Sequence, residues 1–205
     1  MTQSKEDLGF YQSEIQTGVS FTAFMTAVAS FFMGLLITRI DSIDITIKVP
    51  ILFLIISTVG FLYSTIVYSN ASGEITRLDS NKAKDYMLIG NVLSEYFGVY
   101  LLVLSVPLVI NAITADMFLR IATLFVIVMS LSLYSISQFS IAHRYLKTPR
   151  KNLFTFIIVL FEIVIFFAQS TMSPYFTGIS IIFLLFIISC AYYFYRLKEW
   201  PVMSN

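Results

Sequence analysis

Val49-Pro-Ile-Leu-Phe-Leu-Ile-Ile-Ser-Thr-Val-Gly-Phe-Leu-Tyr-Ser-Thr-Ile-Val-Tyr68 is a run of twenty residues without a charge. An α-helix of about 20 residues, rising about 1.5 Å per residue, crosses a hydrocarbon core of about 30 Å. The rest of the chain agrees with that reading. Of its 205 residues 58% are hydrophobic and only 12% charged, with mean hydropathy +0.84, whereas soluble domains carry about 25% charge. So little charge cannot cover a surface facing water, and lipid must solvate much of the chain.

Working outward, five more apolar runs have the same character: Gly18–Arg39, Tyr86–Ala112, Met117–His143, Pro149–Gln169 and Pro174–Arg196. Backbone groups in lipid must bond within their own segment, so these are helices. Their polarity does not alternate as β-barrel strands require. The expected fold is all-α, a polytopic membrane bundle of six transmembrane helices forming a single domain over 1–205 with no soluble domain. Pro50, Pro149 and Pro174 fall at proposed helix starts, where a missing N–H costs little, with Thr148 and Ser173 as N-caps. Pro201 follows the last span, and Pro107 alone lies inside a run, where it predicts a bend. Residues Met1 to Gly18 are polar and lack the pattern of a cleaved signal peptide. Leu8, Tyr11 and Ile15 recur at helical spacing there and predict a short surface helix.

Charge placement sets the expected topology. Ten of the thirteen basic residues (Lys5, Arg77, Lys82, Lys84, Arg144, Lys147, Arg150, Lys151, Arg196 and Lys198) fall on one side if the spans alternate, against Arg39, Lys48 and Arg120 on the other. The positive-inside rule then places both termini in the cytoplasm, with the chain in the cell membrane. Tyr68, Tyr86, Tyr145, Tyr193 and Trp200 are expected as an interfacial belt on that side. The sequon at Asn70 falls inside in this topology and is discounted.

Two acids stand within the spans, and they are the candidate site. Glu95 shares a face with Asn91, Gly98 and Ser105; Glu162 shares one with Asn152, Thr155 and Gln169. Ionisable groups at such depth usually face a partner or water. Counting from the proposed helix starts places the acids within roughly one turn of each other in depth. The hydroxyl-rich fourth run offers Ser130, Tyr134, Ser137 and Gln138 to line a path or bond the acids. The functional reading is a proton or cation pathway through Glu95 and Glu162, supported by Asn91, Tyr134 and Gln138. The structural alternative treats both acids as neutral glue between helices. In the first span Thr22, Thr26, Ser30 and Gly34, and in the second Ser57, Gly60 and Ser64, predict packing ridges.

Other chemistry finds no footing. There is no GxSxG, HExxH or Walker-type loop, so no enzyme is expected. His143, the single histidine, reads as a surface residue, and the acids Asp41 and Asp44 as a solvated turn. Cys190 reads as a buried apolar side chain. No metal site or cofactor is expected, and a net charge of +1 argues against nucleic acid. The bilayer is the expected partner, with a homo-oligomer or a partner membrane protein beside it. The leading reading is a small ion or proton channel or coupled transporter. Its rival is a non-catalytic membrane subunit or anchor of a larger complex.

Overall fold

The structure, a computed structural model, describes residues 3–39, 45–77, 80–137, 140–141 and 151–197. Gln138, His143, Asp41, Asp44, Tyr145, Trp200, Thr148, Pro149, Pro201 and the basic residues Arg144, Lys147, Arg150 and Lys198 lie outside these. Every regular element among the described residues is a helix: α1 (Gln3–Arg39), α2 (Ile45–Thr76), α3 (Ser80–Val92), a π-helical segment (Leu93–Val99), α4 (Tyr100–Ile113), α5 (Met117–Ile136), α6 (Lys151–Ser170) and α7 (Phe176–Leu197). α3, the π segment and α4 run on without a break, and six helices are long and apolar enough to cross a membrane. The chain is a multi-pass membrane protein.

The helices fall into two length classes. Asn111 near the end of α4 donates to Gln169 near the end of α6, and Gln169 donates to the Thr46 carbonyl in the first turn of α2, so these three elements share a level. From there α2 and the α3–α4 rod each run about 45 Å, whereas α6 runs about 27 Å. The end carrying the α2–α3 turn is called here the basic end, and Tyr195 near the end of α7 lines a cleft there with Lys82 and Asp85. α1 reaches that end as one helix of 37 residues rather than as a separate surface helix plus a span. Ile15, Tyr68, Ala71 and Met87 are buried together there, with Lys84 over the Tyr11 ring.

Packing follows small residues. The ring of Tyr68 sits where a Cβ on Gly18 or Gly90 would be, and its hydroxyl donates to Asn91. Tyr68 is thus an interior residue, not part of the interfacial belt. Ser57 and Ser64 on α2 donate to the Gly98 and Gly90 carbonyls at 2.8 and 2.7 Å, and Gly60 lies against the Phe97 backbone. The expected α2 ridge is a contact surface.

The α1 ridge differs. Ile15, Thr22 and Ala29, seven residues apart, are the buried positions, Thr22 sharing a 2.8 Å hydrogen bond with Thr65, while Gly34 is exposed with nothing beside it. Steps of four residues drift about 40° each around a helix, so Gly34 lies about 120° from Thr22, whereas steps of seven hold one line to within about 20°.

Two helix boundaries also moved. α2 begins at Ile45, so Pro50 lies inside the helix; lacking an N–H, it leaves the Thr46 carbonyl for Gln169 Nε2. α7 begins at Phe176, two residues after Pro174, and Ser173 accepts the Tyr175 N–H at 3.3 Å in the preceding turn.

Candidate functional site

Glu95 lies in the π segment, which closes with the Tyr100 N–H bonded to the Glu95 carbonyl. In an α-helix residues five apart point about 140° from each other. The wider π turn reduces that angle, and the Tyr100 hydroxyl donates to Glu95 Oε1 at 3.0 Å. Ser140 donates to the same oxygen at 2.9 Å, and the backbone N–H of Ile141 to Oε2 at 2.7 Å. Tyr134 on α5 is a further hydrogen-bond partner, its ring edge-on to Tyr100 at 6.2 Å. Buried Glu95 thus holds the chain just beyond α5 against the central rod. Both oxygens are occupied, and an N–H among the donors fixes one of them as an acceptor.

Glu162 is the opposite case. It is fully buried (0% exposed), and neither carboxyl oxygen has a hydrogen-bond partner among the described residues. Its neighbours on the α6 stripe are satisfied. Thr155, two turns toward the basic end, donates to Ser135 on α5 at 3.3 Å. Gln169, two turns the other way, donates to the Thr46 and Leu108 carbonyls and accepts from Asn111, whose own carbonyl takes the Ser170 hydroxyl. An unpartnered buried polar group costs about 1–3 kcal/mol, and more if charged. A sequence that satisfies both ends of a stripe and leaves its centre bare carries that cost at one position.

The two acids do not meet. Glu95 lies about 24 Å from the Asn111–Gln169 level and Glu162 about 10 Å, a difference of about 14 Å rather than one turn. The count from helix starts assumed that the two helices start level, whereas from the Asn111–Gln169 level the described part of α6 runs about 27 Å and the rod about 46 Å. Of the supporting residues, Tyr134 joins Glu95, Asn91 pairs with Tyr68 instead, and Gln138 is outside the described residues. Nor do the α5 hydroxyls line a path: Ser130, Ser132 and Ser137 are exposed and bond carbonyls of their own helix at 2.8 Å each.

The chain matches no protein-family model, no curated protein and no solved structure.

Sequence reading missed three partners. Tyr100 is aligned only by the π turn, and the Ile141 N–H is a backbone group invisible to residue type. Asn111 did carry a signal, as a lone amide in the apolar run that contains Pro107. Among the described residues no group of three or more His, Cys, Asp or Glu side chains is placed to hold a metal.

Proposed function

We propose that this chain is a small proton- or cation-coupled transport protein of the cell membrane, with Glu162 as the ion-carrying group and Glu95 as a positioning residue. The observation that carries the reading is the bare, fully buried Glu162 carboxyl between two satisfied polar pairs. Ionisable residues within spans are rare, and substrate or ion pathways and proton relays are among the roles they mark. Glu95, with its oxygens filled by Tyr100, Ser140 and Ile141, suits holding α5 and the rod together better than binding a mobile ion. The outer faces of α1 and α5, with Phe24, Phe31, Phe118 and Phe125 exposed, suit lipid or a second copy of the chain. No bond-making step belongs to this function.

The test is proton and cation flux by purified protein in liposomes across a pH gradient. E162Q is expected to reduce flux to that of protein-free vesicles; wild-type flux unaltered by E162Q would refute the assignment. The second reading, a non-catalytic subunit, is favoured by the cluster of Ile15, Tyr68, Ala71 and Met87 that packs α1, α2 and α3 together at the basic end, a surface for a partner. A silent wild type that co-purifies with another membrane protein would decide for it.

A further inference from the structure

Resting on the transport reading for its physiological meaning, but not for its chemistry, one question is which ion Glu162 takes. We infer that it is a proton, and that the site excludes metal cations. A metal cation entering a protein exchanges its hydration shell for several oxygens; calcium takes six to eight and magnesium a near-octahedral set. Glu162 offers two, from a single carboxyl. The nearest polar groups on its own stripe, Thr155 and Gln169, are about 10 Å away along the helix, and both are already bonded to others.

Neither described cleft reaches Glu162. Two surface clefts, of about 220 and 280 Å³, are described: one is lined by Lys82, Asp85 and Tyr195 among others, the other by Ile56, Gly60 and Phe97 among others, and Glu162 lines neither. A proton needs no coordination shell and no void, only one lone pair.

The electrostatic setting agrees. α6 packs against α4, α5 and α7, and its Gln169 reaches the first turn of α2, where Lys48 is exposed. The inward titratable groups on α4, α5 and α7 are Tyr100, Tyr134 and Cys190; the two tyrosines are engaged with Glu95, and none of the three is hydrogen-bonded to Glu162. Arg120 on α5 is bonded to the Thr114 carbonyl at the helix start. With no hydrogen-bond donor to it among the described residues, a lone carboxylate would stand uncompensated in an apolar interior. The species the site holds at rest is the neutral acid, and its proton is the cargo.

The experiment uses the full chain in detergent micelles with dicyclohexylcarbodiimide, an apolar carbodiimide. An acid adds across one C=N bond of the reagent: its proton goes to a nitrogen and its oxygen to the central carbon. An oxygen-to-nitrogen acyl shift then leaves a stable N-acylurea, with nothing expelled. Peptide mass spectrometry should find the adduct on the Glu162 peptide and not on the Glu95 peptide, fading as pH rises, with no protection by sodium, potassium or calcium ions. E162Q should lose the label. Because the wild type is itself the readout, poor folding of that variant leaves the result intact. Protection by any of those cations, or no adduct on Glu162, would overturn the inference. Labelling in a protein that moves no ion would sink the transport reading and leave the proton site standing. Cation flux with cation protection would do the reverse.

Discussion

Replacing Glu95 by glutamine changes a single group, yet it turns an acceptor into a donor facing either Ser140 and Tyr100 or the Ile141 N–H. If the amide NH2 takes the Oε2 position, two donors oppose each other, and the buried N–H loses its partner at a cost of about 1–3 kcal/mol. E95Q should therefore melt below wild type in detergent. An unchanged midpoint would mean that the clasp adds no net stability. E162Q exchanges one unpartnered group for another and should melt close to wild type, so a loss of flux there reads as loss of function. Tyr96 offers a third comparison: its hydroxyl is buried without a partner among the described residues, while its ring stacks on Phe194 at 5.5 Å. Tyr96→Phe keeps the ring and removes the orphan, so its midpoint should equal or exceed that of wild type; a clear drop would reveal a hydrogen bond to that hydroxyl. Both glutamates stood out in the sequence as acids in apolar runs, but their opposite circumstances did not. What satisfies Glu95 comes from a backbone N–H and a π turn, neither of which residue type encodes.

At the level of the helices, α2 meets the central rod through glycine. A Cβ on Gly60 would stand 2.7 Å from the Phe97 carbonyl carbon, backbone that cannot swing aside, whereas one on Gly34 would meet nothing within 4 Å. Gly60→Ala should then cost about 1–3 kcal/mol through overpacking, while Gly34→Ala should gain up to about 1 kcal/mol from helix propensity. Heating each variant in micelles and measuring the monodisperse fraction distinguishes them, and the reverse order would refute this account of the contact. The six spans were legible because desolvating backbone acts on every residue and so accumulates over a run. The contacts were legible only in part, because a small residue makes a contact surface only if its spacing keeps it facing a neighbour. Ser57, Gly60 and Ser64 do so, whereas Gly34 has rotated away from the line of Thr22. Pro50 gave the same ambiguity, since a proline in the first turns of a helix and one just before it look alike. The Thr46 carbonyl it leaves for Gln169 became visible only with α6 in place.

Across the whole molecule, charge sets the expected orientation. Arg77, Lys82 and Lys84 lie at or next to the α2–α3 turn, they belong to the ten basic residues that fall on one side if the spans alternate, and the positive-inside rule expects that side in the cytoplasm. That orientation places Glu162, about 10 Å from the Asn111–Gln169 level, nearer the outer surface than the inner one, so the shorter route for a proton leads outward past the Asn111, Gln169 and Ser170 network. The orientation can be read with single cysteines, because the native Cys190 is buried and should stay silent toward a membrane-impermeant maleimide. Met172, 79% exposed on the α6–α7 turn, lies at the far end, and Asn81 is exposed at the basic end. In sealed right-side-out vesicles Met172→Cys should label at once and Asn81→Cys only after permeabilisation. The opposite pattern would invert the protein and make Glu162 a group loaded from the cytoplasm. Labelling of both in sealed vesicles would place the two ends on one side of the bilayer, which a single crossing from Asn81 to Ile113 followed by two more to Met172 does not allow.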